Sequence, residues 1–190
     1  MTKRVCVYCS SSNILEDKYI EAARVFAEAA SLLGYCIVCG GSSMGLMGVI
    51  IDTMLKNKAR VEGAIPEFMG DMEIQHPEIK NLTIVDTMSK RKDFLRENTD
   101  AVIAFPGGLG TLEELLETYT LKRLGKYDGA VIIFNQDGYY NKLLELLEHF
   151  VEKRFLKPNY RESLIVVNSV EELMNTIKIS GREILRPEHY

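Results

Sequence analysis

No stretch of the sequence approaches the ~20 consecutive apolar residues that a membrane-spanning helix requires. The basic opening Met1-Thr2-Lys3-Arg4 runs straight into strand-like Val5-Cys6-Val7-Tyr8, without the separate apolar segment of a secretory signal. A cytoplasmic protein without a membrane partner is expected. Positive charge is not in excess: 23 basic and 27 acidic side chains leave a net charge of −4. That balance gives no general attraction to nucleic acid, so none is expected as a partner and a phosphate ligand needs a local site. Linkers rich in Pro, Gly or Ser, charge blocks and low-complexity stretches are missing as well, and residues 1–190 are expected to form a single domain. What is present is ordinary globular composition, 46% hydrophobic and 26% charged, enough to bury a core.

The four cysteines form two C-x-x-C pairs, Cys6/Cys9 and Cys36/Cys39, a spacing that resembles a zinc site. The residues between them, Val7-Tyr8 and Ile37-Val38, are strand formers, and along a strand positions i and i+3 face opposite sides. Buried, reduced thiols are the favoured reading, and no metal is expected.

Short apolar runs alternate with helical periodicity from end to end. Strands are expected at Val5–Tyr8, Tyr35–Cys39, Val61–Ile65, Leu82–Val85, Ala101–Phe105, Ala130–Phe134 and Leu164–Val167. The main intervening helices are Asp17–Leu33 before Gly34, Gly45 to about Asn57, Thr87–Asn98, Leu112–Leu124, one running through Phe150, and Val170 to about Ile177. This order predicts an α/β fold, a Rossmann-like, doubly wound parallel sheet with helices on both faces.

Ligands of such sheets bind beyond the carboxyl ends of the strands. Three loops qualify: Cys9 to Asn13, Gly40 to Gly48, and Pro106 to Thr111. The glycines of the last two allow close backbone approach to an anion at a helix N-terminus, although glycine also serves simply to make a tight turn. Gly40 and Gly45 have the first spacing of a Walker A loop, but Leu46 and Met47 stand where Lys and Ser/Thr are needed. Gly108-Leu109-Gly110 begins a dinucleotide fingerprint, yet Glu113 occupies its third glycine position. An NTPase and an NAD enzyme are both disfavoured.

Thr111-Leu112-Glu113-Glu114 reads as a capping box, a structural explanation for Glu114. The competing reading is that a carboxylate within one turn of a phosphate site has a chemical task. Glu113 and Glu117, one turn apart, read as a solvated face with Lys122 nearby. Lys90-Arg91-Lys92 places three cations in the first turns of a helix, against its dipole, and such a local conflict near a strand's carboxyl end suggests a site.

Pro106-Gly107-Gly108-Leu109-Gly110-Thr111-Leu112-Glu113-Glu114 matches the pattern P-G-G-x-G-T-x-x-E, and Met88-Ser89-Lys90-Arg91-Lys92 is similar to an M-x-x-R-K segment. Together they resemble the Lonely Guy (LOG) family of cytokinin riboside 5′-monophosphate phosphoribohydrolases, also labelled lysine decarboxylase-like. The loops Tyr8 to Ser12 and Gly40 to Gly48 extend the resemblance over nearly the whole chain. It implies Arg91 and Glu114 as the catalytic pair. Substrate contacts are implied at Ser10, Gly41, Gly45, Glu73, Met88, Lys92, Gly107, Gly108, Leu109, Gly110, Thr111, Leu112, Glu113 and Thr120. Ser10 and Ser42 stand where many members carry glycine, which either alters the base pocket or adds hydroxyl groups. The resemblance also implies a homodimer, for which Met88, Phe94, Leu121 and Leu124 are candidate apolar contacts.

N-glycosidic hydrolysis passes through an oxocarbenium-like sugar, which calls for negative charge near C1′ and a positioned water. Glu114 can supply both, whereas Arg91 is a poor proton donor at neutral pH. No cofactor is expected, since no lysine has a recognisable pyridoxal-phosphate setting. The expected activity is hydrolysis of cytokinin riboside 5′-monophosphate or AMP to free base and ribose 5-phosphate. The alternatives are a non-catalytic nucleotide-binding regulatory module and a phosphotransferase.

Overall fold

The computed structural model describes residues 2–69 and 75–186. Seven strands form one sheet: β1 (Arg4–Tyr8), β2 (Cys36–Cys39), β3 (Val61–Pro66), β4 (Asn81–Val85), β5 (Ala101–Ala104), β6 (Ala130–Phe134) and β7 (Leu164–Val167). Every pairing is parallel, and the spatial order is β4-β3-β2-β1-β5-β6-β7. Residues of β2, β3, β5 and β6 are buried throughout because helices cover both faces, and their runs are apolar except at Glu62 of β3, which is paired with Arg4 and Arg60. β4 lies at an edge and is largely exposed.

Among the described residues six α-helices lie between strands, α1 (Asp17–Leu32), α2 (Gly45–Lys56), α3 (Met88–Arg96), α4 (Leu109–Arg123), α5 (Asn141–Glu152) and α6 (Pro158–Glu162), and α7 (Val170–Ile179) follows β7. The core is split by the sheet. On one side, Ala23, Phe26, Ala27 and Ala30 of α1, at helical spacing, join α2 and Leu173 and Ile177 of α7, with Phe26, Phe105 and Phe134 in successive ring contact at 5.1 and 4.8 Å. On the other, Leu95 of α3, Leu115 and Tyr119 of α4, Leu147 of α5 and Tyr160 of α6 cover the opposite faces of β1, β5 and β6. Cys6 and Cys9 fall in these opposite halves, as strand alternation requires. All four cysteines are free and buried, and burial pushes the Cys39 thiol up to about 11, where it stays protonated. Among the described residues no group of three or more His, Cys, Asp or Glu is arranged to hold a metal.

The strand order reverses beside β1: the chain moves outward through β2, β3 and β4, then returns to place β5 on the other flank of β1. The loops leaving β1 and β5 therefore separate to opposite faces and leave a crevice between them. This switch point positions the site.

Most boundaries shift from expectation by one or two residues, and two of the differences matter here. β3 continues through Pro66, which pairs with Val85 on the edge strand. More consequentially, α4 begins at Leu109, three residues earlier than its sequence suggests, with Gly108 as N-cap and no side-chain cap.

Candidate active site

The crevice is a cleft of about 360 Å³ lined by Cys9 to Ser12 after β1, Met47, Arg91, Gly108 to Thr111 and Glu114. Larger surface hollows lie elsewhere, one along Asp93 to Asn98 and Gly125 to Asp128, another along Leu55, Lys58 to Val61 and Pro77 to Asn81.

The early start of α4 changes the reading of its first turns. Thr111 is the third helical residue rather than the N-cap, so Thr111-x-x-Glu114 is no capping box. Glu114 is the sixth residue, and its side chain is 11% exposed. Thr118 Oγ1 donates to the Glu114 carbonyl at 2.9 Å and pairs with Tyr8 Oη at 3.0 Å, tying this turn to β1. The structural explanation of Glu114 by capping is thereby removed.

Of the three adjacent cations on α3, only Arg91 enters the site. Lys90 pairs with Asp86, and Thr87 caps the helix by accepting from the Lys90 amide. The helical period puts Arg91 and Leu95 on the buried face. Arg91 Nε donates to the Ala64 carbonyl at 3.1 Å, its side chain is 6% exposed, and Nη1 lies 4.0 Å from Glu114 Oε1. A Cβ at Gly40 would lie 2.1 Å from Arg91 Nη2, so Gly40 makes room for the guanidinium. Sulfur atoms of Met69 and Met88 flank the same group. The negative charge of Glu114 is felt at Tyr8 and Cys6, whose ionisation is pushed well up by burial first and this carboxylate as a further cause.

The two glycine loops have different tasks. A Cβ at Gly45 (φ 59°) would lie 2.6 Å from backbone atoms of Ser10 and Ser12. The Gly45 amide donates to Asn13 Oδ1 and the Leu46 amide to the Ser10 carbonyl. Gly41 (φ 82°) packs on Leu82. The N-terminus of α2 is therefore occupied by the chain's own β1 loop, and Gly41 and Gly45 do not line the cleft, contrary to an anion site at both loops. Ser42 is buried, its hydroxyl accepting from the Met44 amide within the turn, so it serves the turn rather than a base pocket.

At α4 the opposite holds. Gly107 has a packing cause, since a Cβ there would meet Thr111 Oγ1 at 2.1 Å, but Cβ atoms at Gly108 and Gly110 would meet nothing within 4 Å. With no side chain capping the helix, its first N–H groups and dipole face the cleft. This yields a separable prediction. Gly110→Ala should raise thermal stability, by roughly 0.5–1 kcal/mol for replacing a helical glycine, while weakening nucleotide binding. Unchanged binding would show that no ligand approaches this turn.

Other implied contacts are dispersed. Lys92 is held by Glu113 and Glu117, and Arg96 also meets Glu117 at 3.0 Å, so these carboxylates serve α3 rather than Lys122. Leu109 sits 86% exposed at the cleft mouth, while Leu112 packs into the core. Thr120 is exposed on the outer face of α4, and Glu73 lies outside the described residues. A decarboxylase of the pyridoxal type needs a lysine at the ligand, and the described lining residues include none. Lys122, at the far end of α4, is buried against the Asp128 and Glu183 carbonyls.

A parallel sheet with an uncapped helix N-terminus at its switch point and an Arg–Glu pair nearby is the arrangement of α/β proteins that take a ligand at the carboxyl edge of the sheet. Residues 47–177 match the family described as "possible lysine decarboxylase". Two plant relatives, from Arabidopsis thaliana, are named cytokinin riboside 5′-monophosphate phosphoribohydrolase. LOG1 is 36% identical over 93% of this chain and 83% of its own length, and LOG3 is 35% identical over 93% and 82%. The chain belongs to the LOG family. Among solved structures, the molybdenum cofactor binding protein of Rippkaea orientalis superposes with a TM-score of 0.70 at 18% identity, covering 94% of this chain and 96% of that one, a likeness of fold.

Proposed function

We propose that this chain hydrolyses the N-glycosidic bond of a nucleoside 5′-monophosphate, AMP or its cytokinin-type N6-substituted counterpart, to free base and ribose 5-phosphate. The observation that carries the reading is the Arg91–Glu114 pair buried one turn from the open N-terminus of α4.

The geometry suits the substrate. N–H groups of Gly108 to Thr111 take the phosphate, replacing solvent with a fixed positive dipole end. Glu114 follows Thr111 by three residues, about 4.5 Å along the axis on the same face, a spacing comparable with the reach of ribose 5-phosphate from phosphorus to C1′. Helical side chains tilt towards the N-terminus, which leans this carboxylate back over the sugar. There it stabilises positive charge developing at C1′ and orients a water for attack. Arg91, with Nη1 4.0 Å from Oε1, orients the carboxylate. Phosphate binding remote from the reacting bond orients that bond.

Product-resolved chromatography of AMP incubated with the protein tests this reading. Adenine and ribose 5-phosphate are expected. Intact AMP would indicate a binding module, and released phosphate with an intact glycosidic bond a phosphotransferase.

The active form is a homodimer in this proposal, supported by the outer face of α4, where Leu116 and Leu124 are 39% and 43% exposed. Of the sequence-based candidates, Leu124 lies on this face, Met88 flanks Arg91, and Phe94 and Leu121 pack against the core instead. Thr120 shares the outward face, consistent with its reaching a neighbouring copy's cleft. Light scattering should give twice the 21.5 kDa chain mass, and a monomeric mass would contradict the dimer.

A further inference from the structure

Two tyrosines stand behind the phosphate cradle. Tyr139 Oη donates to the Gly107 carbonyl at 2.9 Å and Tyr140 Oη to the Phe105 carbonyl at 2.6 Å. Both leave a short turn after β6 in which Asp137 and Gly138 adopt left-handed φ angles of 52° and 74°. The turn is braced: Asn135 Oδ1 accepts from the Tyr140 amide at 2.8 Å, and the Tyr139 ring lies edge-on to Tyr140 at 4.9 Å and to Tyr19 at 5.9 Å. The hydroxyl of Tyr139 is thus delivered by a half-exposed ring held by two edge contacts.

The consequence follows from peptide geometry. In a trans peptide the carbonyl and the following N–H point in opposite directions, and the chain has no cis bonds among the described residues. Fixing the Gly107 carbonyl towards Tyr139 turns the Gly108 N–H away from it. This peptide lies between two glycines, where rotation is least hindered, and a free Gly107–Gly108 unit has little else to hold its plane.

We propose that Tyr139 is a positioning residue: it sets the plane of the 107–108 peptide so that the Gly108 N–H joins those of Gly110 and Thr111 against the 5′-phosphate, and so enforces selection of nucleotides over nucleosides. It acts through the backbone and touches no substrate. The inference rests on reading the N-terminus of α4 as the phosphate cradle.

Tyr139→Phe keeps the ring and its packing and removes only the hydroxyl. Three quantities are compared with the parent protein: KM and kcat for AMP, inhibition by ribose 5-phosphate, and kcat/KM for adenosine. The KM for AMP and the inhibition constant for ribose 5-phosphate should rise together by about tenfold, the scale of one lost hydrogen bond. The kcat for AMP and kcat/KM for adenosine should each stay within about threefold of the parent value, well below one tenfold step. Unchanged inhibition by ribose 5-phosphate in the variant would overturn the proposal, as would an equal loss on AMP and adenosine, which marks general loosening of the loop. A parent protein that ribose 5-phosphate does not inhibit would instead overturn the phosphate cradle itself.

Discussion

Glu114→Gln is expected to leave a folded protein that binds AMP and turns it over roughly 10²-fold more slowly or worse, the scale of losing a general base. The substitution preserves size and helix geometry, since Glu114 is the sixth residue of α4 and takes no part in its cap. An amide oxygen remains available to Arg91, whose Nε bond to the Ala64 carbonyl is untouched. What disappears is the negative charge, which the oxocarbenium-like transition state needs more than the ground state does. Circular dichroism and AMP titration separate this from unfolding or lost binding. Near-normal turnover would leave Glu114 as the structural partner of a buried arginine. Glu113 is a weaker substitute, being exposed and paired with Lys92.

Removing the phosphate from the substrate should have an effect of the same order or larger. Adenosine offers Glu114 the same glycosidic bond but nothing for the first turn of α4 to hold. Its kcat/KM should fall roughly 10²–10³-fold below that of AMP, a modest fraction of what fixed orientation can contribute. Equal rates would mean that the open helix N-terminus plays no part in recognition.

The strands and the buried turn of α3 are legible in the sequence because each leaves a local mark, whereas the pairing of Arg91 with Glu114 as proposed catalytic residues comes from the family resemblance. Sheet strands covered on both faces are apolar apart from Glu62 of β3, whose carboxylate is paired with Arg4 and Arg60. Arg91 sits in a helix turn where cations are unfavourable, and Leu95, four residues on, marks the buried face it shares. The start of α4 is misleading because glycines at 108 and 110 argue locally against helix, although the loop leaving β5 has already fixed the direction of the chain. The glycine loop after β2 misleads for the opposite reason. Gly40, Gly41 and Gly45 look like an anion cradle, but their causes are a guanidinium from α3, a leucine from β4 and the backbone of the β1 loop. None of these partners is near in sequence. Tyr139 leaves no mark at all: its hydroxyl acts on a carbonyl 32 residues away.

In the proposed complex one nucleotide spans the first two turns of α4. A crystal structure of the Glu114→Gln variant with AMP tests it directly. The phosphate oxygens should lie about 2.7–3.1 Å from the N–H groups of Gly108 to Thr111, with C1′ facing the side chain at position 114 and Arg91. A phosphate seated on the Gly40 to Gly45 loop, or a glycosidic bond directed away from position 114, would contradict the account.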